Sequence, residues 1–419
     1  MFSVFTPNLR NTIHKLKVKP STIIKNFSCA ALQDEDRPYI TYNQNQHEYL
    51  ESKKSYPLYM CQSLLNQNTI SVIGYGAQGR SQALNLKDNG FNVILGLREM
   101  GASWDKAIED GWVPDQDLYD INQASKKGDI IKYLLSDAGQ IEQWSIINNN
   151  LYPGNTLYFS HGFGIYYQDY TNIVPPDDVN VVMVAPKCSG RTVRQNFINK
   201  TGFNSSYAIY QDVGDAYDTT MALAFGIGNN LLFETTFEKE VLSDLTGERC
   251  ILMGMIQAAF SAQYKVLRSH GHSPLEAYNE TVEEALESLY PIINENGMDW
   301  LYANCSTTAQ RGALDWAPKF EEKLIPMIEE CYKCVENETE VKNVIKANSD
   351  HQYRKKLNKE LEEIANQELW RVFRQIRALE RKTMEDEHEN ENGNVHGNEN
   401  GNEHENKNKK PDDWDGFLL

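Results

Sequence analysis

Between residues 68 and 98 the chain passes through four segments of different character. An apolar run, Ile70–Ile73, leads into Gly74-Tyr75-Gly76-Ala77-Gln78-Gly79. A helical period follows through Leu84 and Leu86, Gly90 closes it, and a second apolar run occupies 91–97. This pattern predicts strand, glycine turn, helix and strand within about thirty residues. Further apolar runs at 129–135, 156–159, 179–185 and 206–210 alternate with helical stretches, the rhythm of a doubly wound parallel sheet. Near residue 235 the rhythm stops, and 238–380 shows helical periodicity with few strand signals. The expectation is an α/β domain over 34–235 followed by an all-helical domain over 236–382.

Glycines at this spacing make a dinucleotide site. Gly74 permits the tight turn, Gly76 lets a pyrophosphate approach the backbone, and Gly79 lets helix and strand pack closely. The phosphates then sit on free N–H groups at the helix start. A lone GxGxxG is a weak signal, but here a strand precedes it and a helix follows. An NAD site would place Asp or Glu at the end of the second strand; this chain has Arg98 there, with Ser103 five residues on. A guanidinium and a hydroxyl suit a 2′-phosphate, so the reading is NADPH, with the neighbouring Glu99 as counter-evidence.

Composition narrows the class. The 419 residues leave room for two domains, and a net charge of −18 argues against non-specific nucleic-acid binding. No uninterrupted apolar run reaches the length of a membrane-spanning helix. Seven cysteines without regular spacing do not make a disulfide framework, and Cys331-x-x-Cys334 is a single pair without the second pair a zinc site needs. Residues 1–33 hold Arg10, Lys15, Lys17, Lys19 and Lys25 and no acid, the composition of an organelle transit peptide or of a basic disordered arm. Residues 383–419 form an acidic, low-complexity tail. Within it 385–410 has almost nothing apolar and is expected to be disordered. His388, His396 and His404 recur there at a spacing of eight, more simply a drifting repeat than a metal site, before a PDDWDGFLL end.

Three strand ends carry chemistry. Ser136-Asp137 ends one run and is placed to close over a cofactor, Ser160-His161-Gly162-Phe163 ends the next, and Lys187 follows Ala185-Pro186. Singly, His161 and Lys187 are ordinary loop residues; on successive strand ends of one nucleotide-binding sheet they point into the same crevice. In the helical half, 241–260 is apolar almost all round, as in a buried helix, yet Asp244 and Glu248 sit four apart within it. Acids on an apolar face require neutralisation, pairing or a metal. Glu280 and Glu284 repeat the spacing, but opposite their helix's apolar stripe, which on its own reads as a solvated face. Four carboxylates from two helices could hold Mg²⁺, although periodicity cannot show that the pairs converge.

The stretches GYGAQGRSQALNLKDNG, SHGFG, VAPKCSGRTVR, SDLTGER, GHSPLEAYNETVEEALESLYP and CSTTAQRGALDW resemble ketol-acid reductoisomerases, most closely the short fungal mitochondrial form, from about residue 40 to about residue 380. The resemblance implies an N-terminal NADPH-binding Rossmann domain and a C-terminal knotted helical domain. It implies a homodimer or larger homo-oligomer with each active site shared between subunits. It also implies a mitochondrial matrix location, with a plastid as the alternative. By motif, Asp244 bridges two Mg²⁺ ions, Glu248 binds one, and Glu280 and Glu284 complete the site from the partner. That reverses the solvated-face reading of the second pair. Ser306 matches a substrate-binding serine. Lys187 matches the lysine near the substrate oxygens, His161 the histidine beside the nicotinamide, and Glu284 is expected to handle a proton. Gly74, Tyr75, Gly76, Ala77, Gln78, Gly79, Arg98, Ser103, Ser136, Asp137, Gln140 and Gly190 match cofactor contacts.

The implied reaction converts 2-acetolactate or 2-aceto-2-hydroxybutyrate, by alkyl migration and reduction, to a 2,3-dihydroxy acid in branched-chain amino-acid synthesis. Cys188, Cys250 and Met255 depart from the family pattern, Cys188 standing where glycine usually follows the lysine. Two other readings stay open on the residues: a metal-independent NADP hydroxyacid dehydrogenase, and a non-catalytic NADPH-binding protein.

Overall fold

The structure is a computed structural model that describes residues 37–43 and 46–393, with side chains as far as residue 383. The basic stretch 1–33 and the tail beyond Gly393, including His396, His404 and the PDDWDGFLL end, lie outside the described residues.

Ten strands make one sheet: β1 (Tyr39–Asn43), β2 (Gln46–Ser52), β3 (Ile70–Ile73), β4 (Val93–Leu97), β5 (Leu118–Asp120), β6 (Ile130–Tyr133), β7 (Thr156–Phe159), β8 (Asn180–Pro186), β9 (Phe203–Gln211) and β10 (Asn229–Glu234). Their order is β1-β2-β10-β9-β8-β7-β6-β3-β4-β5. From β5 to β8 all pairings are parallel, and the order along them, with β3 first in the chain and next to both β4 and β6, is that of a dinucleotide-binding sheet. β3, β4, β6 and β7 are buried at every position. A parallel strand covered by helices on both faces is apolar at most positions, here at all but Ser71, Lys132 and Thr156, and this is why these runs are legible. One face packs Val72, Leu95, Val182 and Val184 against Ala83 and Leu86; the other packs Ile73, Ile131, Phe159 and Met183 against Trp144 and Ile147.

The apolar rhythm predicts a sheet that is parallel throughout, and the structure departs from this at one edge. β9 returns antiparallel to β8, β10 runs parallel to β9, and the β1–β2 hairpin closes the edge antiparallel to β10. Strand composition encodes burial, not direction, so the reversal leaves no trace in the pattern. The hairpin leaves no apolar alternation in the sequence because β1 is exposed along its whole length.

After β10 the described chain is helical. The stretch 241–260 does not form the buried helix its composition predicts. A helix Phe237–Gly247 passes into a wider turn, Glu248–Leu252, breaks at Cys250 (φ −94°, ψ −118°) and Met253, and resumes as Gly254–Ser269. Ile251, Leu252 and Met253 are 62, 62 and 61 % exposed. Among the described residues this stretch, Phe237–Ser269, is long and apolar enough to cross a membrane by length and composition alone. It carries Asp244, Glu248 and the break inside it. A long helix, Thr307–Glu336, packs on the first part of it, while Trp316 and Phe320 on that helix are 57 and 61 % exposed. The last helix, Glu368–Gly393, runs into the segment expected to be disordered. Adding Glu-rich turns to an existing helix needs no new nucleus, and glycine stands where it stops.

Candidate active site

The turn after β3 is built as its glycines require. Gly74 has φ +106°, and a Cβ on Gly79 would lie 2.2 Å from the Gly74 carbonyl oxygen. A Cβ on Gly76 would meet nothing within 4 Å, so the turn's outer side is open where a pyrophosphate would approach. Gly76 caps the helix Ala77–Asp88, whose first N–H groups face that opening. The loop after β8 packs on the turn: a Cβ on Gly190 would lie 2.3 Å from Ala77 backbone atoms. Ser81 Oγ donates to the Gly190 carbonyl (2.7 Å) and Gln78 Nε2 to the Cys188 carbonyl (3.1 Å). Cys188 packs against the core beside them, and burial pushes its thiol up to about 11. Tyr75 points inward, its hydroxyl donating to Asp110 (2.8 Å) and accepting from Trp112 Nε1 (2.8 Å).

Arg98 follows β4 directly; both it and Glu99 are exposed. Ser103 lies in the first turn of Ala102–Glu109, capped by Gly101. Ser136 caps Asp137–Asn150 by accepting from the Gly139 N–H, and burial raises the Asp137 carboxyl. The Gln140 amide donates to the carbonyls of Tyr133 and Leu135, so its N–H groups close the β6 end.

The opposite side of the crevice holds the charged groups. His161 leaves β7, Lys187 leaves β8, and both meet the helix Phe237–Gly247 at Glu240. Glu240 is 2 % exposed. Its carboxylate accepts from His161 Nδ1 (3.1 Å), the Gly162 N–H (3.0 Å) and Lys187 Nζ (3.4 Å). Gly162 permits this approach, because a Cβ there would lie 2.6 Å from the Phe237 carbonyl oxygen. Asp244, one turn on, places Oδ2 3.4 Å from His161 Nδ1. One ligand atom each from His161, Glu240 and Asp244 lie within 4.8 Å of one another.

Burial disfavours the charged form of all these groups, and the balance differs among them. His161 loses by burial but gains more from Glu240, then Asp137 and Asp244, and its pKa is raised to about 9. Glu240 also loses by burial, but His161, Lys187 and the Gly162 N–H bring its carboxyl below the ordinary value. At Asp244 and Glu248 burial wins: it outweighs the pull of His161 and Arg249 on both and of Lys187 on Asp244, so both carboxyls are pushed up, and Asp244 adds to the rise at Glu248.

The chain therefore brings together His161, Lys187 and Asp244, three of the residues expected from sequence, with Glu248 one turn beyond Asp244 and 3.8 Å from Arg249. It adds Glu240, which sequence reasoning missed. Glu240, Asp244 and Glu248 recur at a spacing of four, and that extended period was the available signal. Glu280 and Glu284 are exposed on a separate segment, where Gln263 Nε2 donates to the Glu280 carbonyl (2.8 Å) and neither carboxylate is among the groups gathered at His161. Ser306 caps Thr307–Glu336, accepting from the Ala309 N–H (3.2 Å).

Known proteins match this architecture over most of its length. Residues 64–231 match the family described as "Acetohydroxy acid isomeroreductase, NADPH-binding domain", and 237–382 match "Ketol-acid reductoisomerase, C-terminal domain". A relative from Desulfosudis oleivorans named "Ketol-acid reductoisomerase (NAD(+))" is 54% identical, covering 79% of this chain and 95% of its own. "Ketol-acid reductoisomerase, mitochondrial" from Neurospora crassa is 50% identical over 79% of this chain and 83% of its own. The solved structure of an "NADH-preferring ketol-acid reductoisomerase from an uncultured archean" superposes with a TM-score of 0.70 at 31% identity, over 79% of this chain and 98% of that one. With both of its domains matched and half its aligned residues shared with these relatives, the chain belongs to the ketol-acid reductoisomerase family, and it is an oxidoreductase acting with a nicotinamide dinucleotide.

Proposed function

We propose that the chain converts 2-acetolactate or 2-aceto-2-hydroxybutyrate to the corresponding 2,3-dihydroxy acid, using NADPH and two Mg²⁺ ions. The observation that carries this reading is the meeting of His161 and Lys187, from two strand ends of the dinucleotide sheet, with Glu240 and Asp244 of the helical half. The residues fit magnesium. Asp244 and Glu248 offer hard oxygen donors, and burial pushes both carboxyls up despite the cationic groups nearby, an imbalance that a divalent cation would offset. Asp244 and Glu248 of one chain, with Glu280 and Glu284 of a second copy, would hold the ions. When bound, the ions supply Lewis acidity for the migration and NADPH supplies the hydride.

The chain's own groups do the rest. Glu240 holds His161 by Nδ1, which leaves Nε2 free to face a substrate. Protonated, His161 can pass that Nε2 proton to the oxygen on the carbon that receives hydride, and Lys187 Nζ places a second positive charge on the same side. Glu284 from the second copy is the base expected to take the substrate hydroxyl proton. Ser306, already oriented by its capping bond, would meet the substrate carboxylate. The exposed apolar groups Ile251, Leu252, Met253, Trp316 and Phe320 support assembly with that second copy, since patches of this kind mark protein contacts.

Cofactor choice rests on Arg98 and Ser103, which suit a 2′-phosphate. Glu99 beside them suits a free ribose, and a 54% identical relative is named for NAD(+). Fungal relatives are named mitochondrial, and with the basic leader at 1–33 this supports import into the mitochondrial matrix.

The test is nicotinamide oxidation with 2-acetolactate, with Mg²⁺ and with EDTA, for wild type and Glu280→Gln. Turnover that needs Mg²⁺ and is lost in the variant supports the shared metal site. Turnover surviving both changes sinks it in favour of a metal-free dehydrogenase, and cofactor binding without any turnover leaves a non-catalytic protein.

A further inference from the structure

Gln82 lies on the helix that follows the glycine turn and is 0% exposed. A primary amide buried in an apolar layer must find partners, and its choice here is informative. Its Nε2 donates to Ser160 Oγ (2.9 Å) and to Gln78 Oε1 (3.1 Å), while its Oε1 accepts from the Tyr158 hydroxyl (3.0 Å). The partners lead to the turn and to both strand ends of the site. Ser160 is bonded directly to His161 along the chain. Gln78 lies inside the glycine turn, and its own Nε2 reaches the carbonyl of Cys188 (3.1 Å), the residue after Lys187. The Tyr158 hydroxyl also lies 3.2 Å from the Val184 carbonyl on β8, the strand that ends before Lys187.

We propose that Gln82 is a positioning residue that ties the dinucleotide turn to the two strand ends bearing His161 and Lys187, so that cofactor binding and catalytic geometry are set together. This rests on the reductoisomerase reading and adds a residue that touches neither substrate nor cofactor. The physical argument is one of saturation. Both N–H groups and the carbonyl of the amide are used, so a shift of the turn moves Gln78, and Gln82 cannot follow without loosening Ser160 or Tyr158. Buried networks of this kind hold one arrangement when every member is satisfied. A purely structural glutamine would need only partners; here Gln78 comes from the turn, Ser160 and Tyr158 from the strand that leads to His161, and the Tyr158 hydroxyl reaches on to the Val184 carbonyl of the strand that leads to Lys187.

The experiment is a double-mutant cycle on the full chain with 2-acetolactate, Mg²⁺ and NADPH, using Gln82→Met, Ser160→Ala and the pair. kcat, KM for NADPH and melting temperature are measured for each. We expect Gln82→Met to lower kcat about tenfold and raise KM for NADPH several-fold, the scale of one lost buried hydrogen bond in each state. The pair should be no worse than the worse single variant, because both changes cut the same bond. Kinetic constants within about twofold of wild type, whatever the melting temperature, overturn the proposal, as do effects that simply multiply. Should Gln82→Met not fold, Gln78→Met and Ser160→Ala, which remove the two acceptors of the Gln82 amide, replace it: less-than-multiplicative loss supports coupling through Gln82, and independent loss refutes it. Absence of wild-type turnover would instead sink the reductoisomerase reading itself.

Discussion

Replacing Glu240 by Gln keeps its shape and removes its charge, which makes it a direct test of the cluster. Three donors converge on this 2 % exposed carboxylate: His161 Nδ1 at 3.1 Å, the Gly162 N–H at 3.0 Å and Lys187 Nζ at 3.4 Å. A glutamine oxygen can still accept from Gly162, so the loss falls on the two cationic partners. A hydrogen bond to a charged group is worth about 1.5–3 kcal/mol net, and Lys187 is long and part-exposed, so we assign about 2 kcal/mol to the pair. In a domain of this size that is a fall in melting temperature of roughly 4–8 °C. Catalysis should suffer more than stability, because His161 loses both its aim and its proton; about a hundredfold in kcat corresponds to about 2.7 kcal/mol.

The sharper readout is histidine titration by NMR in magnesium-free protein. With Glu240 ionised, His161 is raised to about 9 against an ordinary value near 6.5. Burial alone pushes the other way, so the Glu240→Gln substitution should bring the midpoint back down toward the ordinary value. A His161 midpoint that does not move in Glu240→Gln would refute the account of the cluster, whatever happens to activity.

Other outcomes follow from the same structure. Lys132 is fully buried with Nζ 3.4 Å from the Tyr158 ring centroid, no hydrogen-bond partner among the described residues, and a pKa that burial lowers well below normal. The unfolded chain then binds a proton the folded chain refuses, so this group makes stability rise with pH toward about 10.4, by up to about 1.4 kcal/mol per pH unit; Lys132→Met should raise stability at neutral pH and remove that slope in denaturant titrations. Burial works against the ionised Asp110, but the bonds it accepts from Arg80 Nε (2.6 Å), Arg80 Nη2 (2.8 Å) and Tyr75 outweigh burial and lower its pKa. Its stabilisation is therefore present above about pH 4 and lost as pH falls through its lowered value, and Asp110→Asn should flatten acid unfolding, cost about 2–3 kcal/mol and weaken dinucleotide binding. Asp244→Asn and Glu284→Gln should each be inactive, while refolding them together should restore about a quarter of wild-type activity through one intact site in each mixed dimer; no recovery would place both acids in one subunit's site. Arg98→Glu should lower the NADPH-to-NADH preference about tenfold or more, read from kcat/KM for each dinucleotide.

What could be read from sequence followed burial. The unit from Ile70 to Leu97 is legible because its strands are covered on both faces and its glycines are fixed by the turn. The Tyr39–Ser52 hairpin is not, since an exposed edge imposes no alternation, and the three residues of β5 are too few to show a period. Glu240 stayed hidden because it shares the first helical turn with Glu238, where acids are common at a positive helix end. Its partners, His161 and Lys187, lie 79 and 53 residues away in the chain, and no local pattern connects them. The reading of Glu280 and Glu284 as metal ligands rests on family resemblance alone, because a face that one chain leaves in water carries no mark of what a partner would cover.

The proposed assembly over the exposed apolar groups Ile251–Met253, Trp316 and Phe320 would make dilution a denaturant for this protein. Under the proposed assembly the helical half, which leaves such groups bare in one chain, would finish folding only on meeting a copy. Its midpoint of unfolding should then climb with protein concentration, while the dinucleotide sheet, whose core closes within one chain, should unfold at a midpoint indifferent to it. Two halves joined at Thr235 would thus obey different laws, one unimolecular and one bimolecular, and activity assayed at low enzyme concentration would decay with a lag set by subunit dissociation.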